Sequence, residues 1–173
     1  AQDYLEKLRA SYVLADPQER RAEIREGLTR QAKELGGQVL LDEGLLEEVN
    51  NLVEYPTVFA GSFDSSYLKL PKEVIITPMR DHQRYFPVVD EAGNLLPAFL
   101  AVRNGTAENL ETVARGNERV LLARLEDARF YFEGDSQIPL AERVEKLKEM
   151  VYHEKLGSLW ERTERIEQLV LWL

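Results

Sequence analysis

The chain has 173 residues, 44% of them hydrophobic and 31% charged, enough for one packed domain with part of another and too apolar for a disordered tail. It contains no cysteine, which excludes disulfides, thiolate metal sites and cysteine nucleophiles together. A formal net charge of −9 argues against self-sufficient, charge-driven binding of nucleic acid, and against DNA as a partner.

No apolar run approaches the ~20 residues of a membrane span, and no signal-peptide pattern opens the chain, so a soluble, cytoplasmic protein is expected. The chain begins without Met and stops on the apolar run Leu169–Leu173 with no helix-stop residue, as expected of a piece of a longer polypeptide.

Taken in order, residues 2–10 predict a short helix and Ser11–Ala15 a short strand. Asp16 as N-cap, Pro17 at the first helical position and Glu19 at the capping-box position start a second helix. Ile24, Leu28 and Leu35 form its stripe, i,i+4 pairs dress its other faces, and Gly36-Gly37 ends it. Asp42 caps a third helix that turns Leu45, Val49 and Leu52 inward and stops at Pro56. Thr57–Ala60 reads as a strand, and Phe63–Leu70 is left open between a strand and a helical turn begun by Asp64-Ser65-Ser66.

The organising stretch runs from Glu73 to Asn104. A helical run after Pro71 meets Pro78, which removes a backbone donor and predicts a kink or restart. A polar knot, Arg80–Arg84, follows. Two almost wholly apolar strands, Tyr85–Val89 and Leu95–Val102, then flank a turn holding Gly93 and Asn94. Strands of that kind are covered on both faces, so the hairpin belongs inside the fold.

Thr106 is placed to cap a long helix reaching Glu133, with Leu110, Ala114, Leu121, Leu125, Ala128 and Phe132 on one side. Gly116 is a point where it could split. Gly134–Gln137 reads as a loop. Pro139 begins a helix with Leu140, Val144, Leu147 and Val151 inward, Gly157 interrupts, and Leu159, Ile166, Val170 and Leu173 mark the last helix. The expected organisation is a helical arm with a short strand at 1–36, an α+β core at 37–134, and C-terminal helices at 135–173 leading towards a further domain.

Two residue sets carry candidate chemistry. In the knot, Arg80, His82, Gln83 and Arg84 supply donors for phosphates and base edges, and Tyr85 a stacking face. The alternative is that Asp81 pairs with an arginine while Tyr85 and Phe86 are core. On the long helix, Arg115, Arg119 and Arg129 share a face, and Glu118 and Glu126 lie near enough to neutralise them. Asp81-His82 invites comparison with metal-dependent phosphohydrolases, but the order is reversed and the chain has only His82 and His153, so a metal site and a hydrolase are not expected. No phosphate loop and no catalytic constellation is visible.

Val53–Pro56, Met79–Val88, Gly93–Phe99, Gly116–Phe132 and Lys155–Leu159 together resemble the β subunit of bacterial heterotetrameric glycyl-tRNA synthetase, in the same order and over essentially the whole chain. Pro78 departs from that pattern and puts the geometry before the knot in question. The resemblance implies an interior slice of that subunit, non-catalytic, supporting tRNA(Gly) recognition and transfer in protein synthesis. It also implies an α subunit as partner that carries the class II site, with ATP and magnesium there and no cofactor in this chain. The fold expected is α+β: a small, mainly antiparallel sheet around the central hairpin, packed by the long helix and flanked by helices at both ends. A protein-binding scaffold that touches no RNA is the alternative function.

Overall fold

The structure is a computed structural model and describes residues 2–173. It divides into two compact units, one ending at Arg129 and one from Phe130 to Leu173. The fold is α+β. In the first unit, four antiparallel strands lie in the order β1 (Gln38–Val39), β3 (Phe86–Val89), β4 (Leu95–Asn104) and β2 (Pro56–Ser62). The apolar hairpin therefore supplies both central strands, as its composition requires.

Alternation along the strands builds two cores. Phe86, Val88 and Leu100 face one side, where Ile24, Leu28 and Ala32 of α2 (Pro17–Glu34) meet Leu45, Leu46 and Val49 of α3 (Glu43–Leu52). Phe59, Phe99 and Ala101 face the other. There Leu121 and Leu125 of α5 (Leu110–Gln137) pack with Tyr67, Ile75, Met79 and Tyr85. The prolines of this sheet sit where a missing N–H is tolerated, and Pro56 is the first residue of β2. Pro87 lies at the irregularity in the β3–β4 register, and Pro97 lies one residue past the last β2–β4 pair, Ser62 with Ala98. Gly93 adopts φ 83° in the turn, where Asp90 accepts from the Ala92 and Asn94 amides.

The caps at Asp16 and Asp42 form as expected: Asp16 accepts from the Gln18 amide at 2.8 Å and Asp42 from that of Leu45 at 3.0 Å. Other expectations fail for tertiary reasons. Ser11–Ala15 is not a strand, because Tyr12 turns the chain at φ 61°. Leu35 and Leu52 are exposed, and Ala32 and Asn50 take their places inside. The charges of α2 do not pair along their own helix. Arg21 and Arg25 bridge to Glu43 of α3 at 2.9 and 2.6 Å, and Glu19 receives Arg9 of α1 (Gln2–Ala10) rather than closing a capping box.

The third helix ends at Leu52, before Pro56, which instead opens β2. The Phe63–Leu70 segment resolves as a 3-10 turn, Ser65–Lys69, with Asp64 accepting from the Ser66 amide at 2.7 Å. Thr106 does not cap α5, which starts at Leu110 after Asn109 at φ 56°. Gly116 does not split that helix, and residues 134–137 continue it.

In the second unit, α6 (Leu140–Arg143) and a 3-10 turn (Val144–Lys148) precede a small hairpin of β5 (Val151–His153) and β6 (Gly157–Ser158). Leu140 is 84% exposed and Val151 lies in a strand, so the inward stripe expected after Pro139 does not form. Gly157 at φ 83° closes the hairpin, and Ser158 with Glu161 makes a capping box for α7 (Leu159–Trp172).

Candidate nucleic-acid interface

Pro78 ends α4 (Lys72–Thr77) and opens a π-helical turn, Pro78–His82, the restart its missing N–H requires. The turn closes with the Tyr85 amide donating to Met79 O at 2.9 Å, while Arg84 takes φ 57°. Both arginines then meet carboxylates. Arg80 Nε bonds Asp81 at 2.9 Å and its Nη1 reaches Asp42 at 3.2 Å, and these charges, Asp81 first, raise its pKa further. Arg84 Nε bonds Glu48 on α3 at 2.8 Å and its Nη1 bonds His82 O at 3.2 Å.

Tyr85 is 4% exposed, stacked on Phe99 at 4.5 Å and 15°, with its hydroxyl on Asn117 at 2.5 Å. Burial pushes its phenol up to about 12. A ring held this way belongs to the core and offers no face to a base. His82 is exposed and Gln83 half-buried. The knot is thus mostly a clasp between α3 and the sheet.

The α5 arginines lie elsewhere. Arg115, Arg119 and Arg129 line one groove of about 640 Å³, facing the Ser62–Tyr67 segment, and no knot residue lines it. A half-buried Phe63 and Leu122, which is 45% exposed, supply its apolar surface. Glu118 does not neutralise an arginine: its Oε1 accepts from the Ser62 amide at 2.8 Å and the Ser62 hydroxyl at 3.0 Å. Glu126 does, bonding Arg129 at 2.6 Å, and it also accepts from the Tyr67 hydroxyl, the contact that does most to hold its carboxyl below its usual range. Arg129 further lies over the Tyr67 ring, 5.3 Å from its centroid.

Burial, and then Glu126, push the Tyr67 phenol up to about 12. Arg115 donates to Thr112 Oγ1 at 3.2 Å and meets no carboxylate, and Arg119 makes no side-chain hydrogen bond or ion pair among the described residues. Sequence reasoning missed Tyr67 and Ser62 as the opposite wall. The one available signal was the Asp64–Ser66 turn, which places Tyr67 inward.

His153 Nδ1 accepts from the Lys155 amide at 3.1 Å, a turn contact. Among the described residues, no group of three or more His, Asp or Glu is placed to hold a metal ion, and no helix is long and apolar enough to cross a membrane.

A family model described as glycyl-tRNA synthetase beta subunit matches residues 1–173. Similar curated proteins are named glycine–tRNA ligase beta subunit. That of Ligilactobacillus salivarius is 53% identical over 173 residues, 100% of this chain and 25% of the relative. That of Moorella thermoacetica is 54% identical over 171 residues, 99% of this chain and 25% of the relative. That of Geobacter sulfurreducens is 51% identical over 166 residues, 96% and 24%. The chain spans about a quarter of the length of the curated relatives it matches. With the match running the whole length of the α+β fold and the α5 groove, the chain belongs to the glycyl-tRNA synthetase beta subunit family.

Proposed function

We propose that this chain is a non-catalytic part of a glycine–tRNA ligase β subunit and supports recognition of tRNA(Gly) by the assembled, cytoplasmic enzyme. The observation that carries the proposal is the state of Arg115 and Arg119: two exposed guanidiniums one helical turn apart, unneutralised by any carboxylate among the described residues, in a chain of net charge −9. Arginine forks match phosphate geometry, and phosphate contacts orient an RNA without specifying its sequence. Aminoacylation, with its ATP and magnesium, belongs to the α subunit.

A second role is compatible and has its own support. The apolar stripe Ile166, Leu169 and Val170 of α7, with Leu173 just past its end, is exposed, which favours protein contacts that order the subunit or hold its α partner.

The test is tRNA(Gly) binding by the assembled ligase across a salt series, wild type against Arg115→Ala/Arg119→Ala, after folding and assembly are verified. Weaker binding with a slope shallower by roughly 0.7–0.9 per lost contact is expected. Unchanged affinity and slope in the assembled variant would leave only the scaffold role.

A further inference from the structure

We infer that the groove between the Ser62–Tyr67 segment and α5 seats an unpaired stretch of RNA, one or two nucleotides long, with phosphates on Arg115 and Arg119 and a base against Leu122 and Phe63. This rests on the tRNA-facing reading above and adds which part of an RNA the chain holds.

Shape comes first. At about 640 Å³ the groove has the size of a small-ligand cleft and is walled on both sides by ordered elements, a capped 3-10 turn and a helix. A paired helix presents its phosphates on a convex outer surface and stacks its bases inside, so it cannot lay a base face against Leu122 and Phe63. An unpaired nucleotide can.

The charges then sort themselves by what they already touch. The lining has three arginines and three carboxylates, Asp64, Glu118 and Glu126, so it is not a general anion sink. Each carboxylate is engaged as an acceptor within the walls: Asp64 by the Ser66 amide, Glu118 by Ser62, and Glu126 by Tyr67 and Arg129. Arg129 is committed to Glu126 and the Tyr67 ring, and it positions the wall. Arg115 and Arg119 remain for phosphate, with Cβ atoms about 5–6 Å apart as i,i+4 neighbours on a helix.

Leu122 lies on the same helical face and is 45% exposed. Phe63, half-buried against the second core, is fixed opposite it. Two charged forks beside an apolar patch in one open groove form a backbone-and-base site, the arrangement that single strands use.

The experiment places a benzophenone photo-crosslinking side chain at position 122 of the full-length β subunit in the assembled ligase and maps its adducts on tRNA(Gly). It is paired with binding by Leu122→Glu and by Arg115→Ala/Arg119→Ala, each shown to be folded and assembled. Expected are adducts at unpaired nucleotides, lost in the arginine double variant, and binding about tenfold weaker for Leu122→Glu. Adducts confined to paired stems would overturn the inference while leaving the tRNA-facing reading intact. So would no adduct at all with binding weakened only by the arginine variant. No adduct and wild-type binding by both variants would overturn the inference and the reading together.

Discussion

Replacing Gly61 by alanine tests how tightly the second core is built. Gly61 pairs with Phe99 across the β2–β4 ladder, and a Cβ there would stand 2.3 Å from Phe99 Cζ and 2.6 Å from Cε1. Real contacts between carbons lie near 3.5–4.0 Å, so the ring must move by more than an ångström. It has nowhere to go. Phe99 is fully buried and stacked on Tyr85, whose hydroxyl is tied to Asn117 of α5.

Alanine would gain roughly 0.5–1 kcal/mol over glycine through backbone entropy. Overpacking costs typically about 1–3 kcal/mol, and a contact at 2.3 Å belongs at the upper end of that range, so the clash wins and a net loss of about 2 kcal/mol is expected. Urea unfolding followed by far-UV circular dichroism measures it. Tryptophan fluorescence does not serve, because Trp160 and Trp172 both lie in the second unit. In a Phe99→Leu background, where the ring is gone, the same substitution should cost less than half as much. A loss under about 0.5 kcal/mol, or an equal loss in both backgrounds, would refute the packing described.

Leu121→Ala should destabilise the first unit by about 2–5 kcal/mol, since Leu121 is fully buried in the second core; the same urea titration measures it, and a near-zero effect would mean α5 turns another face inward. Stability should also fall at high pH. Tyr67 and Tyr85 have folded pKa values raised to about 12 from 10.0, so their contribution is complete below pH 10 and is lost as pH rises towards 12, because the unfolded chain ionises first. Urea midpoints at pH 9 and 11 measure it. A Tyr67→Phe/Tyr85→Phe variant should show a smaller decline over that range, and an identical decline would refute the assignment.

Local chemistry was legible wherever one residue answers to its immediate neighbours. Asp16 and Asp42 cap helices because a short side-chain oxygen reaches the free amides of a first turn whatever packs around it. Pro78 forces a restart because no environment supplies its missing N–H. The runs Phe86–Val89 and Leu95–Val102 had to lie centrally, because only strands covered on both faces can carry apolar residues throughout.

What the sequence left open depended on partners far along the chain. Arg80 and Arg84 look like free donors beside Asp81 alone, but Asp42 and Glu48, 38 and 36 residues earlier, claim them once α3 docks. Glu118 lies three residues from Arg115 and Glu126 three from Arg129, the spacing at which each could pair; Glu126 does bond Arg129, but Ser62 draws Glu118 to the opposite wall. Spacing along a helix sets which charges can meet. Which of them do is decided by the amides and hydroxyls that the tertiary fold brings within about 3 Å: Glu118 turns to Ser62 and leaves Arg115 without a carboxylate, whereas Glu126 meets Tyr67 through one oxygen and Arg129 through the other.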